Sequence, residues 1–122
     1  LGVCLGMQLL CMHSEDGDVD CLGLIDAPMQ RFRGSDGFRV PHMGWNEVQA
    51  CRDHPLCGGG ASEGWAYFVH GYRVPVCAAA LATCEYDTVF SAAVGQGNFM
   101  GVQYHPERSA ALGMAVLANF LG

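Results

Sequence analysis

Two short stretches, one near each end of the chain, hold residue types that perform acyl transfer. The first is Gly2-Val-Cys-Leu-Gly6, a cysteine set between glycines just ahead of the apolar run Met7–Leu10. A small-x-nucleophile-x-small sequence between a strand and a helix is the pattern of a nucleophile elbow. The turn is so tight that flanking side chains would clash, so glycine is expected on both sides. The turn lifts the cysteine off the sheet edge and aims the next N–H, that of Leu5, at a developing oxyanion. A helix N-terminus behind the thiol is expected to lower its pKa. The same spacing also fits a cysteine packed into a strand–helix turn, and this stretch alone leaves both readings open.

The second stretch is Gly101-Val-Gln-Tyr-His-Pro-Glu-Arg-Ser109. A general base needs a carboxylate on its far nitrogen, and His105 with Glu107 supplies both from one loop held by Pro106. A lone histidine at a strand end is usually structural. A His-Pro-Glu after the last strand, in a chain that also carries the elbow, reads as catalytic: Cys4 nucleophile, His105 base, Glu107 its orienting partner.

These residues need elements to hold them. Leu1–Val3 reads as the end of a buried strand, and Gly6 to about Met12 as a helix with Met7, Leu10 and Cys11 on one face. His13–Asp18 stops that helix, and Cys21–Ile25 reads as a short strand. Gly34–Gly37 is a polar turn, and Phe38–Val48 is expected as strand, then loop. His54–Gly64, with three consecutive glycines, reads as irregular loop. Strands are expected over Trp65–Val74 and Ala79–Tyr86, and a hairpin over Thr88–His105 turning at Gly95-Gln-Gly97. Ser109–Leu121 reads as a helix capped by Ser109, with Leu112, Val116, Leu117, Phe120 and Leu121 facing the core. Strands with helices at both ends indicate an α/β protein.

Composition narrows the function class. The chain has 122 residues, one domain's worth, and 51% of them are hydrophobic, enough for a core. It carries no lysine and a net charge of −6, which argues against nucleic acid as a partner. No apolar run reaches the ~18 residues of a membrane span, and no signal sequence is evident. The 7 cysteines are odd in number and irregularly spaced, so they read as reduced thiols in the cytoplasm rather than a disulfide framework. Cys51, His54 and Cys57 have a metal-like spacing but lack a fourth ligand, so no metal is expected, and no cofactor. Cys11, Cys21, Cys77 and Cys84 read as core fillers. His13 and His54 read as surface residues.

The elbow and the His-Pro-Glu together resemble the class I, or triad, glutamine amidotransferases. Val40-Pro-His-Met-Gly-Trp-Asn-Glu-Val48, Tyr67–Tyr72 and Leu112–Leu121 narrow the resemblance to the glutaminase subunits of imidazole glycerol phosphate synthases. The likeness runs over essentially the whole chain, and Pro41–Asn46 is its most specific part. It implies a three-layer, flavodoxin-like mixed sheet, an α/β fold of which the N-terminal strands lie upstream of Leu1. That upstream part would also supply a second oxyanion donor beside Leu5. The resemblance implies hydrolysis of glutamine to glutamate and ammonia, the ammonia passing to a (β/α)₈-barrel cyclase subunit that forms imidazole glycerol phosphate and aminoimidazole carboxamide ribotide in histidine biosynthesis.

By the same resemblance Gln8 holds the amino-acid end of glutamine. Asp16, commonly glutamate in the family, contacts its amino group, one methylene shorter here. Gly71, usually serine or threonine, binds through its backbone beside Tyr72. His42, Met43, Trp45, Asn46, Tyr67 and Arg108 match positions facing the barrel. Taken without the motif match, His42, Trp45 and Tyr67 read as residues packing a loop on the sheet. Two other functions stay open on the sequence: a free-standing γ-glutamyl hydrolase of the same class, against which Pro41–Asn46 speaks, and an inactive module that only docks to the barrel.

Overall fold

A computed structural model describes all residues from Leu1 to Gly122. The elements run β1 (Gly2–Val3), α1 (Leu5–Gln8), β2 (His13–Ser14), β3 (Val19–Asp20), β4 (Pro28–Arg31) and β5 (His42–Ala50). Two 3₁₀ turns follow at Pro55–Cys57 and Gly59–Ala61. Then come β6 (Glu63–His70), β7 (Tyr72–Arg73), β8 (Ala80–Tyr86), β9 (Thr88–Gln96), β10 (Phe99–Val102), a 3₁₀ turn at Pro106–Arg108, and α2 (Ala110–Leu121).

Six strands form the main sheet in the order β1-β10-β9-β8-β5-β6, and a smaller sheet has the order β3-β2-β4-β7. Within the main sheet only β1 and β10 run parallel, with Gly2 opposite Gly101 and Val3 opposite Val102. The sheet curls, and the chain leaving β10 meets β6 again, where His105 N–H donates to the Tyr67 carbonyl at 3.0 Å. The apolar face of β8 and β9 and the inner residues of β5 and β6 enclose the larger core, with Phe68, Phe90, Leu81 and Tyr104 fully buried. A smaller core of Met7, Leu10, Cys11, Ile25 and Val74 lies beneath the second sheet.

Several expectations need correction. The first helix is a single turn. The carbonyls of Leu9, Leu10 and Cys11 instead accept N–H groups of Leu22, Gly23, Leu24 and Ile25, so Cys21–Ile25 is a loop paired to that turn and not a strand. Its expected apolar face is nonetheless correct, since Met7, Leu10 and Cys11 are all buried. The order at Phe38–Val48 is loop first, then strand, because Pro41 has no N–H and the regular ladder with β6 begins at His42. The glycine-rich loop holds two 3₁₀ turns packed under α2, with Leu56, Cys57 and Ala61 buried. The hairpin turns one residue later than expected, at Gly97-Asn98, between the paired Gln96 and Phe99. Along α2 only Leu112, Gly113 and Val116 are buried, and Phe120 and Leu121 lie exposed.

Candidate active site

The site lies where β1 and β10 end. Two neighbouring parallel strands deliver Cys4 and His105 to the same edge of the sheet, the usual place for a site in an α/β protein. Cys4 N–H is anchored to the Val102 carbonyl at 2.8 Å. The backbone of Cys4 has φ 54° and ψ −108°, a strained conformation of the kind that persists only where the surroundings enforce it, at ~1–3 kcal/mol. Gly2 makes the turn possible: a Cβ there would meet the Gly6 carbonyl carbon at 2.5 Å. Gly6 is not needed for the same reason, because a Cβ on it would touch nothing.

The Leu5 N–H faces the sulfur and favours its ionised form, but burial is the larger influence and holds the Cys4 thiol above its ordinary pKa; Glu107 pushes it the same way. The expected depression by a helix N-terminus is therefore absent, as one turn of helix offsets too little of the desolvation. The thiol donates to the Val69 carbonyl at 3.6 Å, and Gln103 Nε2 approaches the sulfur at 3.7 Å. The imidazole is not among the hydrogen-bond partners of Cys4.

His105 Nδ1 and Glu107 Oε1 are 3.0 Å apart. The carboxylate accepts, so Nδ1 carries the proton and Nε2 is left with a lone pair for a thiol proton. Two contacts fix this loop. Ser109 Oγ donates to the His105 carbonyl at 2.6 Å and accepts the Tyr67 N–H at 3.0 Å, so the serine expected to cap α2 instead ties β6 to the histidine loop. Gly113 lets α2 lie against the Pro106 carbonyl, which a Cβ would approach to 1.9 Å.

Gln8 is buried, its Nε2 donating to the Tyr72 carbonyl at 3.1 Å and to Gln103 Oε1 at 2.8 Å. Tyr72 and Gly71 are half-buried beside it, the Gly71 carbonyl accepting from Phe32 N–H at 3.2 Å. Asp16 is exposed in the turn between β2 and β3, on the sheet whose far edge carries Tyr72; its backbone N–H donates to Ser14 Oγ at 2.9 Å. Gln8 and Tyr72 are thus brought together below the nucleophile, and no contact joins Asp16 to them.

The barrel-facing set divides by strand parity. Met43 and Trp45 are 64% and 52% exposed on the outer face of β5, and Trp45 packs edge-on to Tyr67, over which the Arg108 guanidinium stacks at 4.0 Å. His42 and Asn46 point the other way. His42 is 3% exposed, stacked between Phe68 and Tyr86, and Asn46 donates to the Glu85 carbonyl at 2.9 Å. His42 is turned into the core, which corrects that expectation for its side chain, while Asn46 is half-buried: residues i and i+2 of a strand share a face, and 42 and 46 lie on the one opposite Met43 and Trp45.

Sequence reasoning passed over Gln103, Val69 and His70. Gln103 sits inside the motif itself, between β10 and His105, but its burial and its contact with the nucleophile are not visible in the sequence. Val69 acts through its carbonyl, which no sequence pattern announces.

A strained cysteine at the carboxyl end of a parallel strand, beside a His–Glu pair just past the end of the next strand, is a nucleophile elbow facing a candidate base. The chain belongs to the glutamine amidotransferase class-I family, whose profile matches residues 1–122. It is 50% identical over 121 residues to the imidazole glycerol phosphate synthase subunit HisH of Xanthomonas campestris pv. campestris (strain 8004), covering 99% of this chain and 60% of that protein. The same figures hold for the HisH subunit of Xylella fastidiosa (strain Temecula1). The chain thus spans about 60% of the length of the curated relatives it matches. Its fold is similar to that of a glutamine amidotransferase from Thermotoga maritima, with TM-score 0.61 and 20% identity over 98% of this chain and 45% of that one. It is also similar to the glutaminase domain of a Trypanosoma brucei CTPS, with TM-score 0.62 and 18% identity over 98% and 59%. The fold is that of a class I glutamine amidotransferase.

Proposed function

We propose that this chain carries the glutaminase site of an imidazole glycerol phosphate synthase, acting as one amidotransferase domain of a cytoplasmic enzyme. The observation that carries the reading is the strained Cys4 elbow with the His105–Glu107 pair one strand away. Similarity to the HisH subunits narrows it to the ammonia donor for a (β/α)₈-barrel cyclase subunit, and so to histidine biosynthesis.

The chemistry follows from the geometry. Glutamine enters between Cys4 and the face formed by Gln8, Gly71 and Tyr72, with Asp16 the candidate partner of its amino group. The thiol swings from the Val69 carbonyl to His105 Nε2, which takes its proton. The sulfur attacks the carboxamide carbon, and the charge moves to the carbonyl oxygen, where Leu5 N–H donates. Collapse breaks the C–N bond as His105 returns the proton to the leaving nitrogen, releasing ammonia. Water, deprotonated by His105, then attacks the thioester; the C–S bond breaks, glutamate leaves and the sulfur regains a proton. Glu107 holds the imidazole in one tautomer and offsets its positive charge. The strip formed by Met43, Trp45, Tyr67 and Arg108 is the surface for the barrel. No helix is long and apolar enough to cross a membrane.

Cys4→Ala tests this reading. Glutamine hydrolysis is expected to fall by ~10⁴-fold or more, while synthesis fed with free ammonia continues in the presence of the barrel subunit. A variant that still forms glutamate at a comparable rate refutes the assignment.

A further inference from the structure

One buried side chain that the triad does not use stands against the nucleophile. Gln103 is 0% exposed and contacts both Gln8 and Cys4. The direction of these contacts is dictated from their far end. The Tyr72 carbonyl can only accept, and it takes His70 Nδ1–H at 2.7 Å and Gln8 Nε2–H at 3.1 Å. The amide nitrogen of Gln8 is therefore the atom that also meets Gln103, at 2.8 Å, and only an oxygen can receive it. Gln103 thus gives its Oε1 to Gln8 and is obliged to turn its NH₂ toward the Cys4 sulfur, 3.7 Å away. His70 is itself fixed, because its proton on Nδ1 leaves Nε2 to accept from His42 Nδ1–H at 2.9 Å.

We propose that Gln103 is a further catalytic residue of this site: its amide N–H is the donor that holds the Cys4 thiolate, and Gln8, the Tyr72 carbonyl and His70 position it. The proposal rests on Cys4 being the nucleophile. A thiolate at this point is otherwise poorly served. Burial opposes it, as does the charge of Glu107, and the Val69 carbonyl that accepts the thiol proton repels the anion. Glu107 is the charged side chain that acts on it, and the backbone neighbours Gln8 on α1 and Val102 on β10 carry no charge. The other donor facing the sulfur is Leu5 N–H, which must move to the substrate oxygen once attack begins. His105 gives its proton to the leaving nitrogen and Leu5 N–H turns to the oxygen, so Gln103 is the donor that stays on the sulfur throughout, as the thiolate forms and when it is expelled from the thioester.

The test reads the thiol directly. Alkylation of Cys4 by iodoacetamide is followed against pH with the modified cysteines resolved by mass spectrometry, in the protein and in its Gln103→Met and Gln103→Glu variants. The exposed Cys51 is the internal reference, and protection of the buried Cys11 and Cys84 reports an intact fold. Removing the donor is expected to raise the Cys4 midpoint by about one pH unit, or tenfold less thiolate at a given pH, and the glutamate variant by more. A purely structural role would expose Cys11 and Cys84 and leave the Cys4 midpoint unraised, since loss of burial lowers it. A folded Gln103→Met protein with an unchanged Cys4 midpoint overturns the proposal and leaves the Cys4→Ala experiment to judge the nucleophile separately. Should both variants unfold, the unmodified protein decides: the ¹⁵N side-chain amide resonance of Gln103 is expected to titrate with Cys4, and one that ignores Cys4 ionisation overturns the proposal equally.

Discussion

Gly2 and Gly6 flank Cys4 symmetrically in the sequence and unequally in space. A methyl on Gly2 would strike the Gly6 carbonyl at 2.5 Å, backbone against backbone, with no flexible side chain to yield. Gly6 lies inside α1 facing open space. Gly2→Ala is therefore expected to destabilise the protein by ~1–3 kcal/mol or more and to displace the elbow. Gly6→Ala is expected to be neutral or to stabilise by up to ~1 kcal/mol, since alanine favours helix over glycine. Denaturant melts of the two variants check this, and equal losses would show that the turn is not set by the Gly2 contact. The pattern of small residues revealed the elbow, but could not say which glycine the turn depends on, because that follows from where the backbone returns after the turn.

At the scale of elements, the histidine loop is held between β6 and α2. Ser109 Oγ spans them through its two hydrogen bonds, to the His105 carbonyl and from the Tyr67 N–H. Ser109→Ala leaves the Tyr67 N–H unpaired beside a fully buried side chain, at a cost of ~1–3 kcal/mol, while the His105 carbonyl keeps only the Arg108 N–H at 3.0 Å. It is also expected to lower kcat for glutamine hydrolysis more than it raises KM, because the base shifts while the Gln8–Tyr72 face stays in place; a KM effect alone would mean that the loop does not depend on this bridge. The elements themselves were legible where residues within one segment decide them. β8, β9 and the span of α2 lie close to where they were expected, whereas the strand expected over Trp65–Val74 breaks at Gly71 into β6 and β7, which belong to different sheets. Cys21–Ile25 was misread because its N–H groups pair with the turn after α1 and not with a strand, and of its apolar residues only Ile25 is buried while Leu22 lies 68% exposed. An apolar run does not say which partners its N–H groups find, so a loop and a strand can share one. The same limit explains the site: Cys4, His105 and Glu107 were readable as types at spacings, whereas Gln103 matters through the pairing of β1 with β10 and the Val69 carbonyl through the curl that brings β6 back over β1.

At the scale of the whole molecule, the curl has a cost that depends on pH. It closes around His42 and His70, which sit among Phe32, Phe68 and Phe90 and share a hydrogen bond in the neutral state. Burial lowers their pKa values to about 4 for His42 and about 3 for His70. In the unfolded chain both would titrate near the ordinary ~6.5. Between those limits the unfolded state binds protons that the folded state cannot, so stability rises with pH there. The stabilisation is complete above about pH 6.5 and is lost as pH falls toward about 4 and then 3, at up to ~1.4 kcal/mol per pH unit for each histidine. His13 works oppositely on the surface, raised by Asp20 and Asp18, but those pairs face solvent and are weakly coupled to folding. Thermal melts between pH 7.5 and 4.5 are expected to show Tm falling on the acid side of pH 6.5. In a His42→Phe, His70→Leu double variant that slope should flatten even though the starting Tm is lower. A variant that keeps the full acid slope would mean that the loss comes from carboxylates elsewhere and not from the pair the sheet closes upon.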